Sequence, residues 1–210
     1  MINITMNTIE SEVLVEQSIS KSRFLSYLAP ISNEEEAKEY LRRIKKEHPK
    51  ATHHCSAFVV GDIERSNDDG EPASSAGLPM LQVLRGQNLT GVIAVVVRYF
   101  GGIKLGVGGL IRAYGSSVTL AIEHAVIMSP QSVTTVRVQF PYAYTNEVET
   151  HLASICEVLD RAYESEAIYT VDIKDPSLLE VLNDYTRGTC TIETVSQRID
   201  YVRREHDDQS

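Results

Sequence analysis

Six of the twelve glycines lie between Gly101 and Gly115, directly after an aliphatic run, and this arrangement restricts the local fold most strongly. The run GVIAVVVRYF (91–100) shows no alternation of apolar and polar residues, so it predicts a central strand covered on both faces. The segment that follows predicts a tight turn and then a helix beginning near 108–110. Because glycine is costly to order, so dense a cluster indicates either an anion-binding turn or close packing of chain segments.

The glycine segment fits neither of the two best-known phosphate-binding motifs. Gly101 and Gly106 have the spacing of a P-loop, but Val and Gly follow where Lys and Ser or Thr are required. A Rossmann fingerprint starting at Gly106 would place Ile111 where the third glycine belongs. A helix start with free backbone N–H groups and nearby cations still suits an anion. The anion-binding and packing interpretations therefore both stay open, and both can hold.

The charge distribution favours an anionic partner for this segment. The net charge is −9, and residues 134–210 carry −8 of it, whereas residues 72–122 contain no Asp or Glu. The same window holds four cations: Arg85 and, near the glycines, Arg98, Lys104 and Arg112. We therefore predict a face that binds an anion, most readily nucleic-acid phosphate. It comprises Arg98, Tyr99, Gly101, Gly102, Lys104, Gly106, Gly108, Gly109 and Arg112.

The cysteines and the hydrophobic pattern indicate the class of protein. Cys55, Cys156 and Cys190 are widely spaced single residues, which fits a reducing compartment and argues against a zinc ribbon or a disulfide framework. The first residues show no signal peptide, and the longest aliphatic run is far too short to span a bilayer. We expect a cytoplasmic protein with no membrane contact, no metal and no cofactor.

The loop SNDDGEPASS offers a second group of candidate residues, Asp68, Asp69 and Glu71. Close carboxylates can bind Mg²⁺ or act as general acid and base, but a solvated turn with Asp69-Gly70 at the bend explains them equally well. His53 and His54 lie side by side on a predicted strand, so they point to opposite faces and do not share one ion. We predict no catalytic residue, since no nucleophile has a recognisable base.

The order of predicted elements indicates an α+β protein with two domains. Before residue 130 the pattern gives strands at 12–19, 23–31 and 53–61 and a helix that Asn33 and Glu36 cap; residues 64–77 read as a loop. After Pro130 the order is β-α-β-β-α-β, with a predicted capping box at Asn146 and Glu149 and a helix capped by Asp175. We place the domains at 1–133 and 134–203, the latter ferredoxin-like, with a polar tail at 204–210.

Four motifs between residues 20 and 130 resemble the IMPACT/YigZ family in order and spacing: SKSRF, HPKATHHCSAFVVG, SNDDGEPASSAGLPML and VVVRYFGGIKLGVGGLIRAYG. The resemblance implies an N-terminal domain of the ribosomal-protein β-α type, as in domain IV of elongation factor G. It also implies a C-terminal domain like the ferredoxin-like domain V of that factor. The further motif positions that it marks as candidates are Lys21, Arg23, His53, His54, Asp68, Asp69 and Glu71.

The resemblance also implies a function. Eukaryotic IMPACT proteins regulate translation under amino-acid starvation by competing for a ribosome-associated activator of an initiation-factor kinase. By this similarity the chain is expected to be a stress-linked regulator that binds RNA, the ribosome or a translation-associated protein through the glycine-rich cationic face. The alternative is an enzyme that acts on an anionic small molecule, using His54 and the acidic loop near the glycine turn. We prefer the binding module, because no nucleophile–base pair can be named.

Overall fold

The computed structural model describes residues 6–204 and is of the α+β class, as predicted. Within that range the chain forms two compact units, one of residues 6–129 with 201–204 and the other of Pro130–Asp200. The last described residues belong to the first unit, since Arg203 pairs with Glu10 at 2.9 Å and the Arg204 amide donates to the Ile127 carbonyl. Apart from Arg204, the predicted tail lies outside the described residues.

The first unit is built on an antiparallel five-stranded sheet of order β2-β3-β6-β4-β5, with three helices. A short strand β1 pairs with the start of β7. The elements are β1 Thr8–Ile9, β2 Val13–Ile19, β3 Ser22–Pro30, α1 Glu34–Glu47, β4 His53–Val60, β5 Ile63–Asn67, α2 Gly77–Gly86, β6 Val92–Tyr99 and α3 Gly106–Glu123.

Strand β6 is the centre of this sheet, as its aliphatic sequence predicts. Val92, Ala94 and Val96 point into the core that α2 and α3 cover. The alternate residues, among them Val95 and Val97, point into a second core with α1. Both faces of β6 are covered, so every residue from 92 to 98 is buried. The strand therefore lacks the alternation of apolar and polar residues that a half-exposed strand shows.

Local signals predicted some boundaries and missed others. The Asn33 side chain caps α1 by accepting from the Glu36 amide at 2.9 Å, as expected. The predicted loop at 64–77 is wrong at its start, because Ile63–Asn67 form β5 and pair with β4. Helix α3 begins at Gly106 rather than near 108–110.

In the second unit, β7, β9 and β8 are neighbours in that order, and β10 also pairs with β7. Its elements are β7 Ile127–Phe140, α4 Thr145–Ile155, β8 Glu157–Tyr163, β9 Ala167–Ile173, α5 Leu182–Tyr185 and β10 Thr191–Arg203, with 3₁₀ turns at Tyr142–Tyr144 and Pro176–Leu179. Buried residues of α4, α5 and the second 3₁₀ turn pack with alternate residues of β7 and β9, so one sheet face carries the core.

Two details of this unit correct the sequence interpretation. The capping box on α4 is wrong: the helix has no side-chain cap, and the Glu149 carboxylate instead accepts from the Tyr169 hydroxyl at 2.7 Å. Asp175 does act as a cap, accepting from the Ser177 amide at 3.0 Å. The helix expected after Asp175 is divided into a 3₁₀ turn and the short α5.

Candidate functional site

The glycine turn after β6 packs against the turn that joins β2 to β3. The Gly101 amide donates to the Ser22 hydroxyl at 3.2 Å, and a Cβ on Gly101 would overlap the Lys21 carbonyl. Gly102 and Gly106 adopt positive φ angles of 86° and 69°, which residues with a side chain rarely adopt. At these three positions glycine is required by backbone geometry, so the packing interpretation has direct support.

The start of α3 is open to solvent. Its N-cap, Leu105, contributes no side-chain hydrogen bond, and the first turn contains no acid, so its amide groups keep their partial positive charge. Gly108 and Gly109 follow, and both lack a side chain that would cover those amides. The Arg112 guanidinium lies alongside this turn, with Nη1 3.7 Å from the position of a Cβ on Gly108.

A depression of about 390 Å³ lies beside this helix start. It is lined by Ile19, Ser20, Lys104, Leu105, Gly109, Arg112, Ala113 and Ser116. Lys104 and Arg112 are exposed, and no acidic side chain among residues 6–204 forms an ion pair with either. The structure thus brings two predicted cations together with the exposed helix start, which is an arrangement suited to an anion.

The burial of Arg98 corrects its assignment as an exposed anion ligand. Its side chain is 5% exposed, and Nη1 donates to Glu71 Oε1 at 2.6 Å while Nη2 donates to the Ser22 hydroxyl at 3.3 Å. Arg85 is likewise neutralised, by Glu64. Of the four cations in the acid-free window, two are therefore paired with acids that lie before it in the sequence.

Tyr99 and Arg23 lie at the same end of the sheet and are engaged with neighbours. The Tyr99 hydroxyl is 2.9 Å from His48 Nδ1, and the Arg23 guanidinium lies 5.6 Å from the centre of the Tyr99 ring. Arg23 also pairs with Glu16 at 2.7 Å on the surface. These contacts hold Tyr99 in place and leave Arg23 with a compensated charge.

Glu71 is the centre of a buried polar network that sequence reasoning missed. Oε1 accepts from the Tyr114 hydroxyl at 2.7 Å as well as from Arg98, and Oε2 is 3.8 Å from His53 Nε2. Tyr114 is fully buried on α3. No signal in the sequence marks it as a partner of the acidic loop.

The other candidate acids have structural partners. Asp68 caps α2, with Oδ1 accepting from the Ala76 and Gly77 amides at 3.0 and 2.8 Å. The Asp69 carboxylate accepts from the His54 amide and from Lys45, both at 2.7 Å. Burial raises the pKa of Asp69, but the hydrogen bonds from Lys45 and from the His54 amide outweigh it and leave the pKa below its usual value.

The thiol and the histidines of the HHC sequence also have structural partners. The Cys55 thiol donates to the Asp68 carbonyl at 3.0 Å, and burial raises its pKa to about 12, so it stays neutral. His53 Nδ1 is 2.9 Å from the Asp69 carbonyl, and His54 Nε2 is 3.0 Å from the His48 carbonyl. Among the described residues, no group of three or more His, Cys, Asp or Glu side chains is placed to hold a metal ion.

The glycine segment also carries an exposed apolar surface that the charge analysis missed. Phe100, Ile103, Val107 and Ile111 are each between 41% and 54% exposed. A signal was present in the sequence, because the buried face of α3 is already supplied by Leu110, Ala113 and Tyr114. The further apolar residues of α3, Val107 and Ile111, are not part of this buried face and remain exposed.

Comparisons with known proteins assign the family. The model of the Impact N-terminal domain matches residues 20–122. The chain is 39% identical over 191 residues to the IMPACT family member YvyE of Bacillus subtilis (strain 168), covering 88% of this chain and 86% of that protein. The chain belongs to the IMPACT family. It is also 35% identical to the IMPACT family member YigZ of Escherichia coli (strain K12), covering 88% of this chain and 95% of that protein.

The chain is also similar to a eukaryotic protein and to a solved structure. Protein IMPACT of Oryctolagus cuniculus is 29% identical over 119 residues, covering 53% of this chain and 37% of that protein. A solved structure described as that of a hypothetical protein is 32% identical, with a TM-score of 0.57 and coverage of 91% of this chain and 98% of its own.

In residues 6–204, no helix has the length and apolar character needed to cross a membrane.

Proposed function

We propose that this IMPACT family protein is a translation-linked binding module that takes up an anionic partner (the ribosome, RNA or a translation protein) through its glycine face. We define the glycine face as Lys21, residues 100–109 and Arg112. The observation that carries the proposal is the pair of exposed, unpaired cations, Lys104 and Arg112, beside the uncapped start of α3. The positive end of the helix and these two cations attract the same negative group.

The charge of the whole chain supports this function for the glycine face. A protein with a net charge of −9 repels polyanions in general, so binding requires a surface where acids are absent. Residues 72–122 supply such a surface, and among the acids of residues 6–204 partners are found only for Arg85 and Arg98 of their four cations. The two that remain are the two that line the depression.

The fold of the second unit supports a link to translation. We propose a ferredoxin-like domain, since the pairings of β7 with β10, of β7 with β9 and of β9 with β8, with the helices packed on one face, are those that a βαββαβ chain can make. Together with a first domain of the elongation-factor domain IV type, this gives the domain pair that the resemblance implies. Fold alone does not specify function, so the glycine face remains the main support.

The enzyme alternative has less support. Its acids would have to be free to transfer protons, but Asp68 caps α2, Asp69 binds Lys45, and Glu71 is buried against Arg98. The Cys55 thiol, with its pKa raised to about 12, is a poor nucleophile at neutral pH. These contacts of Asp68, Asp69 and Glu71 therefore stabilise the fold.

Sedimentation of lysates from starved cells tests the proposal. We expect the wild-type protein to sediment with ribosomal particles in low salt and to leave them in high salt, because the attraction is electrostatic. The double substitution Lys104→Glu and Arg112→Glu should abolish co-sedimentation. Lys46→Glu with Lys50→Glu is the matched control, since it changes the net charge equally on exposed residues outside the glycine face. Equal co-sedimentation of the two double variants would contradict the proposal.

A further inference from the structure

Phe100 is a large aromatic side chain that the structure holds in place without burying it. The residue is 46% exposed and stands at the end of β6, where the glycine turn begins. Its amide donates to the Thr52 hydroxyl at 3.1 Å, which fixes the backbone. An exposed ring that keeps one orientation offers a flat apolar surface at little cost in conformational entropy.

A buried guanidinium lies over one face of the ring. The Arg98 guanidinium lies 5.5 Å from the centre of the Phe100 ring, and that guanidinium is itself bound to Glu71 and Ser22. The buried ion pair therefore supports the ring from below. Arg98 is predicted from the sequence to bind an anion directly. In the structure it contributes to the glycine face by supporting the ring of Phe100.

Among residues 6–204, two unpaired cations belong to segments next to this ring, Lys21 on the adjacent β2–β3 turn and Lys104 in the glycine turn. Gly101, the next residue, packs directly against the Lys21 backbone, so Lys21 is close to the end of β6. Lys104 follows four residues after Phe100, and among residues 6–204 neither lysine forms an ion pair. An aromatic platform bordered by such cations complements a strand that has both unstacked bases and phosphates.

We propose that the glycine face binds single-stranded nucleic acid, with one unpaired base stacked on Phe100 and nearby phosphates at Lys21, Lys104 and Arg112. The inference rests on the proposed function and names the class of partner. A duplex stacks its bases internally and offers no free base to Phe100, so it would use the cations alone. Base–aromatic stacking is tolerant of sequence, so we expect little base preference.

Titration of the full-length protein with labelled RNA tests the inference. The probes are a single strand of about twelve nucleotides and a duplex of the same length. We expect the single strand to bind more tightly, and Phe100→Leu to weaken single-strand binding by about five- to fifty-fold while leaving duplex binding unchanged. Phe100→Tyr keeps an aromatic ring and should bind as the wild type does. Leu14→Ser is a control for loss of exposed apolar surface outside the glycine face, since Leu14 is 52% exposed on β2.

The outcomes separate the inference from the proposed function. Salt-dependent binding that is equal for single strand and duplex, or unaffected by Phe100→Leu, would overturn stacking on Phe100 and leave an anion-binding face in place. A loss of binding in Phe100→Tyr as large as in Phe100→Leu would also overturn it. If neither probe binds, single-stranded nucleic acid is wrong as the partner, and the glycine face must then serve a protein. Unchanged thermal unfolding of each variant shows that the fold persists.

Discussion

At the scale of single residues, the Arg98–Glu71 pair shows how one buried charge organises the site. Glu71 Oε1 receives hydrogen bonds from Arg98 and Tyr114, and Arg98 supports the ring of Phe100. The Arg98 Nε atom is buried and has no hydrogen-bond partner among residues 6–204, so the guanidinium depends on Glu71 and Ser22 for compensation. Removing one partner of such a pair leaves the other charge buried and uncompensated.

We therefore expect Arg98→Met to lower the free energy of unfolding by about 3–5 kcal/mol. Urea denaturation measures this. The control is Arg23→Met, which removes an arginine whose pair with Glu16 is about half exposed and which should cost much less. If both substitutions have the same small effect, the buried pair does not hold the acidic loop in place.

The sequence predicted the residue types of this site better than it predicted their roles. Arg98 and Glu71 were both singled out, yet they are 27 residues apart and nothing local indicates that they pair. The absence of acids from residues 72–122 suggested that Arg98 was available to an anion, because the acid that neutralises it lies just before that window. The unpaired state of Lys104 and Arg112 likewise depends on contacts between distant segments.

At the scale of elements, the glycine segment combines two uses of glycine that the sequence left open. Gly101 lets the turn after β6 lie against the β2–β3 turn, which is a packing role. Gly108 belongs to the exposed start of α3. A Cβ added there would approach the Arg112 guanidinium at 3.7 Å, which is an ordinary contact distance. The packing role and the proposed binding role therefore fall on different residues of one segment.

Alanine substitutions separate these two roles. Gly101→Ala should destabilise the protein strongly, because its Cβ would overlap the Lys21 backbone and the turn would have to move. Gly108→Ala should be neutral or stabilise by about 0.5–1 kcal/mol, since alanine is favoured over glycine inside a helix. Thermal unfolding of both variants checks this pair of expectations. Similar melting temperatures for the two variants would show that the close approach at Gly101 is not a constraint.

Elements with strong local signals were predicted, and those that depend on distant partners were not. The continuous aliphatic sequence of β6 and the Asn33 cap of α1 are local features, and the structure confirms both. Strand β5 was read as a loop because its polar residues form a strand only by pairing with β4. The capping box expected from Asn146 and Glu149 is absent because α4 begins at Thr145, which places Asn146 inside the helix. The Glu149 carboxylate instead accepts from the hydroxyl of Tyr169 on β9.

At the scale of the whole molecule, three separate cores and an uneven charge distribution describe the chain. The sheet of the first unit has a core on each face, and the second unit has its own core on one face. Acids are concentrated after residue 133, whereas the glycine face, apart from Lys21, lies in the acid-free window 72–122. The central claim is that Lys104 and Arg112 provide this acidic protein with an attractive surface for an anionic partner.

The salt dependence of binding to a labelled single-stranded RNA tests that claim most directly. The binding constant would be measured between about 50 and 200 mM salt for the wild type, for Lys104→Glu with Arg112→Glu, and for the control Lys46→Glu with Lys50→Glu. Each lost phosphate contact reduces the slope of log K against log salt by about 0.7 for a single strand. The account predicts a slope smaller by about 1.4 in the first double variant and unchanged in the control. Equal slopes in wild type and both variants would contradict it.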